Sequence, residues 1–309
     1  MKKPIVFALG ALLVAAANSQ VSAALLSDNF DVDTSANYTV IQDADALVQF
    51  AYDYSVQGIP AAPGSATTLG ARFQANLVAP TSTDAITIVP TGKTFVGDVQ
   101  LRFHMWMNAN GPFPGGGTGS TEFMTAGILH NSTSNNKSGT SGSGAWFAVT
   151  GEGGTSRDYR AHLDATENTA VGTYAGGGQN APNYAAQFPG IDVAAVNGGA
   201  LTAAQGANQT GTTQPGAMAF AWRDVIISRI GNSVTWRIDG NLIATLDVTG
   251  KGDGNIAIGY HDPFSSVSSP TGQAFGLIDN LVVTVPEPAS FALLGLSLVS
   301  LVAAGRKCS

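Results

Sequence analysis

The sequence predicts an all-β fold, an antiparallel β-sandwich, and three observations lead to this prediction. Short runs of alternating apolar and polar residues recur along the chain, which is the period of a half-buried strand. The pairs Gly231-Asn232 and Asp239-Gly240, which favour tight hairpin turns, separate some of these runs. Helix-forming residues are scarce, since the 309 residues include four Glu and only 11% are charged. We therefore expect no long amphipathic helix between the two ends of the chain.

Two stretches give the clearest strands. Residues 99–107 alternate strictly, with apolar side chains at every second position. Residues 222–248 contain three alternating runs joined by the two turn pairs, so they predict a three-stranded antiparallel meander. The middle strand of that meander would turn Trp236 toward the core.

Two Gly-rich regions interrupt the strand pattern, at 108–120 and at about 164–216. Both predict loops, and the second, rich in Ala, Gly, Asn, Gln and Thr, is expected to lie across the surface rather than in the core. A linker between two domains is the competing interpretation of the second region. We favour a single domain over residues 24–285, because the strands before 164 are too few to close a sandwich alone.

The N-terminus predicts a secretory signal peptide over residues 1–23. A basic start, Met1-Lys2-Lys3, is followed by an almost unbroken apolar stretch and by small residues that end at Ala23. Cleavage by signal peptidase after Ala23 is expected, and a retained N-terminal anchor is the alternative.

The C-terminus, residues 286–309, predicts a short membrane-spanning helix with its own processing signal. Residues 289–305 carry no charge, and as a helix they would be about 25 Å long, just enough to span a bilayer. Two prolines before the helix keep the backbone extended, and a basic pair after it favours a cytoplasmic end. An ordinary C-terminal anchor or a buried core helix is the alternative. The residues expected to carry sorting and processing at the two ends are Ala23, Val285, Pro286, Glu287, Pro288, Arg306 and Lys307.

The order Pro-Glu-Pro, apolar helix and basic end resembles the PEP-CTERM sorting signal of Gram-negative bacteria. The resemblance covers Val285 to Ser309. It implies recognition by the membrane-embedded, transpeptidase-like enzyme exosortase and cleavage near Pro-Glu-Pro. The protein would then be exported across the inner membrane and released or attached at the cell envelope.

Charge and cysteine content limit the function of the exported part. Residues 24–286 carry 20 acidic and 10 basic side chains, a net charge of −10, because the other five charged residues lie at the two ends. Nucleic acid is an unsuitable partner for such a negative surface. The single cysteine, Cys308, follows the predicted helix, so the exported part has no disulfide.

No catalytic motif is present, and the sequence predicts no enzyme. The exported part has three glutamates, Glu122, Glu152 and Glu167, and they are isolated from one another, whereas glycoside cleavage needs two carboxylates at one sugar bond. Nucleophile-elbow, zinc-protease and phosphate-loop motifs are missing. No catalytic residue is therefore assigned.

A calcium site is predicted where the two ends of the domain would meet. Hard carboxylate oxygens from the start of the mature chain and from the closing strand would bind the ion and tie the ends together. The alternative is a solvated acidic segment without metal. The residues of this predicted site are Asp28, Asp31, Asp33 and Asp279.

A sugar-binding platform is predicted on the polar face of the 99–107 strand. Aromatic rings stack on pyranose faces, while Arg and His supply hydrogen bonds. The alternative is that the aromatic rings belong to the core. The residues of this predicted platform are Arg102, His104 and Trp106, with Trp146 and Tyr159 on neighbouring runs.

Three segments resemble laminin-G-like domains of the concanavalin A-like lectin/glucanase jelly-roll class. They are Leu25 to Phe30, Trp236 to Gly240 and Leu277 to Leu281. The resemblance implies a jelly roll and favours a non-enzymatic surface or biofilm-matrix protein that adheres to extracellular polysaccharide. Two alternatives stay open: a glycoside hydrolase or lyase acting on such a polysaccharide, and a structural matrix protein without a ligand.

Overall fold

The computed structural model describes residues 24–78, 83–119 and 121–286. Within this part, Ala24–Pro286 form one compact unit. The predicted signal peptide, the predicted helix at 289–305 and the residues Glu287, Pro288, Arg306 and Lys307 lie outside the described residues. Along the described ranges, no helix is both long and apolar enough to cross a membrane.

Strands dominate the described residues, and the single α-helix among them, α1 (Ala200–Gln205), has less than two turns. The strands in chain order are β1 (Leu26–Asp28), β2 (Tyr38–Gln42), β3 (Ala46–Asp53), β4 (Leu69–Ala75), β5 (Asp84–Pro90), β6 (Val99–Asn108), β7 (Phe123–His130), β8 (Ala145–Thr150), β9 (Tyr159–Leu163), β10 (Thr166–Glu167), β11 (Arg223–Ile230), β12 (Ser233–Ile238), β13 (Asn241–Asp247), β14 (Asn255–Asp262) and β15 (Phe275–Thr284).

The strands form two antiparallel sheets packed face to face. Sheet I has the order β13-β12-β11-β6-β15-β4-β3, with β1 also paired to β15, and sheet II has the order β10-β9-β8-β7-β14-β5-β2. Successive strands from β4 to β7, and again from β13 to β15, alternate between the sheets, which is jelly-roll connectivity. The predicted fold class, an all-β antiparallel sandwich, is confirmed.

The core lies between the sheets and includes the predicted meander β11-β12-β13. Asp239 and Gly240, with φ of 50° and 77°, form the turn between β12 and β13, as their sequence favours. Trp236 on β12 is 2% exposed and stacks on Phe147 of β8 at a ring-centroid distance of 5.0 Å. The meander thus contributes a large aromatic contact between the two sheets.

The prediction that residues 164–216 lie outside the core is wrong. Several large apolar side chains of this tract are fully buried and belong to the main core cluster, as Tyr184, Phe188 and Leu201 illustrate, although Val171 is exposed. Tyr184 packs on Tyr159 with ring centroids 4.3 Å apart. These buried side chains are few and widely spaced among Ala and Gly, so they form no periodic pattern that sequence reasoning could detect.

Loops cover much of the outer face of each sheet. On sheet I, residues 54–68 pack against the segment that contains α1, and Asn197 donates a hydrogen bond to the carbonyl of Gly58 (3.0 Å). On sheet II, residues 131–144, called here the covering loop, connect β7 to β8 and contact the outer face. A ligand can therefore reach the outer face of sheet I only where residues 54–68 do not cover it.

Candidate functional site

Arg102, His104 and Trp106 lie on the outer face of β6, while Phe103 and Met105 point into the core, 1% and 3% exposed. The prediction that Trp106 is exposed to a ligand is nevertheless wrong, because only 1% of this residue is exposed. The Trp222 ring packs on Trp106 with centroids 5.8 Å apart. An outward-pointing side chain is thus buried beneath a second layer.

The second layer over Trp106 is built by residues 54–68. Tyr54 contacts the Trp222 ring at a centroid distance of 5.2 Å, and the Trp222 indole N–H donates to the Pro60 carbonyl at 2.7 Å. Tyr54 also donates to Asp279 at 3.1 Å. These contacts cover the outer face of sheet I around Trp106 and leave its ring without access to a sugar.

Trp146 and Tyr159 do not join the predicted platform either, since both belong to sheet II and both are 0% exposed. Trp146 lies beneath the covering loop, stacked on His162 at 3.9 Å, and its indole N–H donates to the Asp164 carbonyl at 2.6 Å. Tyr159 faces the core and its hydroxyl donates to the Gly216 carbonyl at 2.5 Å. Their assignment to an exposed platform is wrong, because each ring is covered by a loop or by the opposite sheet.

Arg102 remains accessible, with 51% of its side chain exposed. It makes a bidentate ion pair with Asp224 of the neighbouring strand β11, through Nε–Oδ1 at 2.7 Å and Nη2–Oδ2 at 3.1 Å. The guanidinium is therefore already paired with a carboxylate, and the two side chains together carry no net charge.

His104 is half-buried and is held by Asn280 of β15. The Asn280 amide nitrogen lies 3.3 Å from His104 Nδ1 and 3.3 Å from the Pro63 carbonyl oxygen. An amide nitrogen can only donate, so Nδ1 accepts and the proton of the neutral ring is assigned to Nε2. Burial lowers the pKa of His104, and the positive Arg102 lowers it further, while Asp224 raises it. The ring is therefore a neutral N–H donor at pH 7.

Asn280 owes its position to a β-bulge. The pairing of β15 with β6 shifts register between Asp279 and Val282, and Asn280 adopts a left-handed φ of 53°. The Asp279 carboxylate accepts the Asn280 backbone N–H at 2.6 Å, which stabilises this uncommon conformation. The bulge brings the Asn280 side chain to the edge of an open groove.

This groove lies between the bulge of β15 and the segment that follows β1. It brings Asp28, one of the predicted calcium ligands, onto the same surface as Asn280 and its partner His104, from the predicted sugar platform. Its polar lining consists of Ser27, Asp28, Asn29, Thr34, Asn37 and Asn280. Sequence reasoning missed the three asparagines, because no strand period relates them.

The predicted calcium residues do not fit a shared ion. Asp28 accepts hydrogen bonds from Phe30 N (2.8 Å) and the Tyr38 hydroxyl (3.0 Å), and Asp33 accepts from Ser35 N (2.9 Å). Each carboxylate is thus satisfied by protein donors close to it in the chain or in space.

Asp31 and Asp279, two further predicted calcium ligands, are also held by protein donors. Asp31 accepts from Asn29 and Thr67, and Asp279 accepts from Tyr54 and Asn280. Burial raises the pKa of Asp279 to about 6, and the negative charge of Asp31 adds to this. Among residues 24–78, 83–119 and 121–286, no three His, Cys, Asp or Glu side chains are grouped closely enough to hold a metal ion.

A second set of carboxylates lies away from the groove, where β7 begins and β14 ends. Glu122 is 2% exposed, and burial raises its pKa well above the usual value, with the negative Asp262 adding to the shift. Burial also raises the pKa of Asp262 to about 7. Both residues are enclosed, and neither lines the groove.

Residues 284–307 carry the PEP-CTERM protein-sorting motif. The resemblance predicted for the C-terminus is thereby confirmed. The motif indicates export to the cell envelope of a Gram-negative bacterium and implies processing by an exosortase. It begins at Thr284, the last residue of β15.

Known structures are similar to the described unit only at low identity. A Bacillus subtilis protein of unknown function with a galectin-like fold is 7% identical, with 85% of this chain and 96% of that chain covered and a TM-score of 0.43. The VIP36 exoplasmic/lumenal domain bound to Ca²⁺ and Man2 is 9% identical, with 84% and 86% covered and a TM-score of 0.41.

The carbohydrate-binding module CBM66 from Bacillus subtilis is 6% identical, with 70% of this chain and 86% of that chain covered and a TM-score of 0.36. At these scores the likeness carries no conclusion about a ligand, and the fold assignment rests on sheet topology. No curated protein matches the chain in sequence.

Proposed function

We propose that the mature protein is a non-enzymatic protein of the cell envelope or extracellular matrix that adheres to polysaccharide through the groove beside Asn280. The observation that supports this most strongly is the composition of the groove. Six polar side chains, three of them asparagines, line an open surface at the edge of sheet I. The sorting motif at 284–307 supports the proposal, because export to the cell envelope would bring the protein close to extracellular polysaccharide.

The chemistry of the groove suits sugar hydroxyls. Each hydroxyl both donates and accepts a hydrogen bond, and so does each carboxamide. Asn29 and Asn37 are exposed. The Asn29 carboxamide already exchanges hydrogen bonds with Asp31, and its nitrogen and oxygen each keep one further hydrogen-bonding position for a ligand. His104 lies behind this lining, and its Nδ1 accepts a hydrogen bond that holds the Asn280 side chain in place.

A hydrolytic role for the groove is not supported by its carboxylates. Asp28 is the single carboxylate in the lining, and both of its oxygens accept hydrogen bonds from Phe30 and Tyr38. Glycoside hydrolysis by the usual mechanisms needs two carboxylates about 5 to 10 Å apart at one sugar bond. We therefore propose binding and not cleavage.

Calcium is not required in this proposal. The four acidic side chains predicted to hold it already accept hydrogen bonds from protein donors, which leaves fewer of their lone pairs for an ion. We expect the same polysaccharide affinity in calcium and in a chelator.

The test is a glycan array with purified residues 24–286, run with Ca²⁺ and with chelator. Wild-type protein is expected to retain at least one polysaccharide, and the double variant N29A/N37A to lose at least tenfold in affinity with an unchanged melting temperature. N183A/N232A is the matched control, because Asn183 and Asn232 are exposed asparagines outside the groove.

Three outcomes contradict the proposal in different ways. No binding by wild-type protein favours a structural matrix protein without a ligand. Equal loss in both double variants places the ligand elsewhere. Shortening of a bound polysaccharide favours the hydrolase or lyase alternative.

A further inference from the structure

Most basic side chains of the described unit are held by carboxylates. Residues 24–286 contain 10 basic and 20 acidic side chains. Six of the 10 basic residues form ion pairs with carboxylates at N–O distances within 4 Å. These six are Arg102, Lys137, Arg157, Arg223, Arg229 and Lys251.

Two further arginines are held against aromatic rings. Arg72 lies 4.7 Å from the ring centroid of Phe275, and Arg160, 5% exposed, lies 4.1 Å from that of Phe123. Within the described ranges, this leaves Arg237 and Lys93 as exposed basic residues without an acidic partner. They belong to different sheets, since Arg237 is in β12 and Lys93 follows β5, so they do not form one cationic patch.

The groove itself has the opposite charge. Its lining contains one carboxylate, Asp28, and no basic side chain. Asp31 and Asp33 follow within the same segment. Arg102, on β6 opposite the lining residue Val282, is already paired with Asp224. A polyanion approaching this groove would meet negative charge from the rim and from the whole domain.

From this distribution of charge we infer that the ligand is a neutral, hydroxyl-rich polysaccharide, and that polymers of uronic or sulfated sugars are excluded. The inference rests on the proposed function of the groove. Recognition proceeds through amide and hydroxyl hydrogen bonds, which need no counter-ion. Binding is therefore insensitive to ionic strength, whereas a site for an acidic polymer loses affinity as salt rises.

The experiment measures retention of residues 24–286 in gels that contain neutral polymers (dextran, mannan, galactan) or acidic ones (alginate, polygalacturonate). We expect retardation by at least one neutral polymer, with less than a twofold change between 50 and 500 mM salt, and none by the acidic polymers. Salt-sensitive retardation by alginate or polygalacturonate would overturn the inference and leave polysaccharide binding intact. Failure of wild-type protein to bind any polymer would instead count against the proposed function.

Discussion

The outer faces of the two sheets carry similar aromatic and basic residues and are used differently. Sheet I presents Arg102 and His104 beside a groove, while its Trp106 is covered by Tyr54 and Trp222. On sheet II, the covering loop lies over Trp146 and makes polar contacts there. Alternation along a strand therefore predicts on which face of the sheet a side chain lies. Whether that face is exposed to solvent depends on the loops that cover it.

The largest effect is expected from Trp106→Ala. Although Trp106 lies on the outer face of sheet I, its ring is enclosed by Trp222, so truncation creates a cavity and should cost about 3 to 5 kcal/mol of unfolding free energy. Chemical denaturation measures this cost. A loss of less than 1 kcal/mol would mean that the second layer over sheet I is absent in solution.

A pH series probes the covered face of sheet II. Burial lowers the pKa of His162 to about 3 from its usual 6.5. Between these values the unfolded chain binds a proton that the folded chain does not, so stability falls as pH is lowered from 6.5 toward 3, by up to about 1.4 kcal/mol per pH unit. His162→Gln should flatten this fall.

The comparison has to be made between variant and wild type at each pH, because an acidic group acts in the opposite direction. Burial raises the pKa of Asp262 to about 7 from 3.8, so its contribution to stability is lost as pH rises between those values. Identical pH profiles for His162→Gln and wild type would show that His162 is exposed and that the covering loop is open.

Ser138→Ala removes a single contact of the covering loop, so its expected effect on stability is smaller. The Ser138 hydroxyl lies 3.2 Å from His162 Nε2, and its backbone N–H donates to His261 Nδ1 at 3.3 Å. Loss of the hydroxyl should cost about 1 kcal/mol, since one buried hydrogen bond is removed. Thr140→Ala, at an exposed position of the same loop, is the control and should leave stability unchanged.

The smallest effect is expected at the ion pair on sheet I. Arg102 and Asp224 are joined by two hydrogen bonds, but 51% of the Arg102 side chain is exposed, so solvent screens the pair. The double variant R102A/D224A should change the unfolding free energy by less than about 1 kcal/mol. A larger loss, found by the same denaturation experiment, would indicate that the pair anchors the sheet.

The sequence predicts those parts of the fold that local patterns determine. Strict alternation in 99–107 and the turn residues Asp239 and Gly240 sufficed for β6 and for the β12–β13 hairpin, because side-chain period and backbone φ are local properties. The tract at 164–216 was misjudged, since Tyr184 and Phe188 reach the core through contacts that are distant in sequence.

The candidate site was predictable only in fragments. Arg102 and His104 follow from the period of one strand, and Asp28 from the acidic start of the mature chain. Their juxtaposition depends on the bulge at Asn280 and on the pairing of β1 with β15, and both features bring together residues that are distant in sequence. The burial of Trp106 likewise depends on a loop that strand periodicity does not describe.

Hydrogen–deuterium exchange on residues 24–286, with and without exopolysaccharide purified from the producing bacterium, tests the central claim most directly. Binding in the groove predicts slower exchange in segments 27–37 and 279–282, beside Asn280, and no change in the covering loop at 131–144. Protection confined to the covering loop, or no protection in either region, would contradict the assignment of the groove on sheet I as the binding surface.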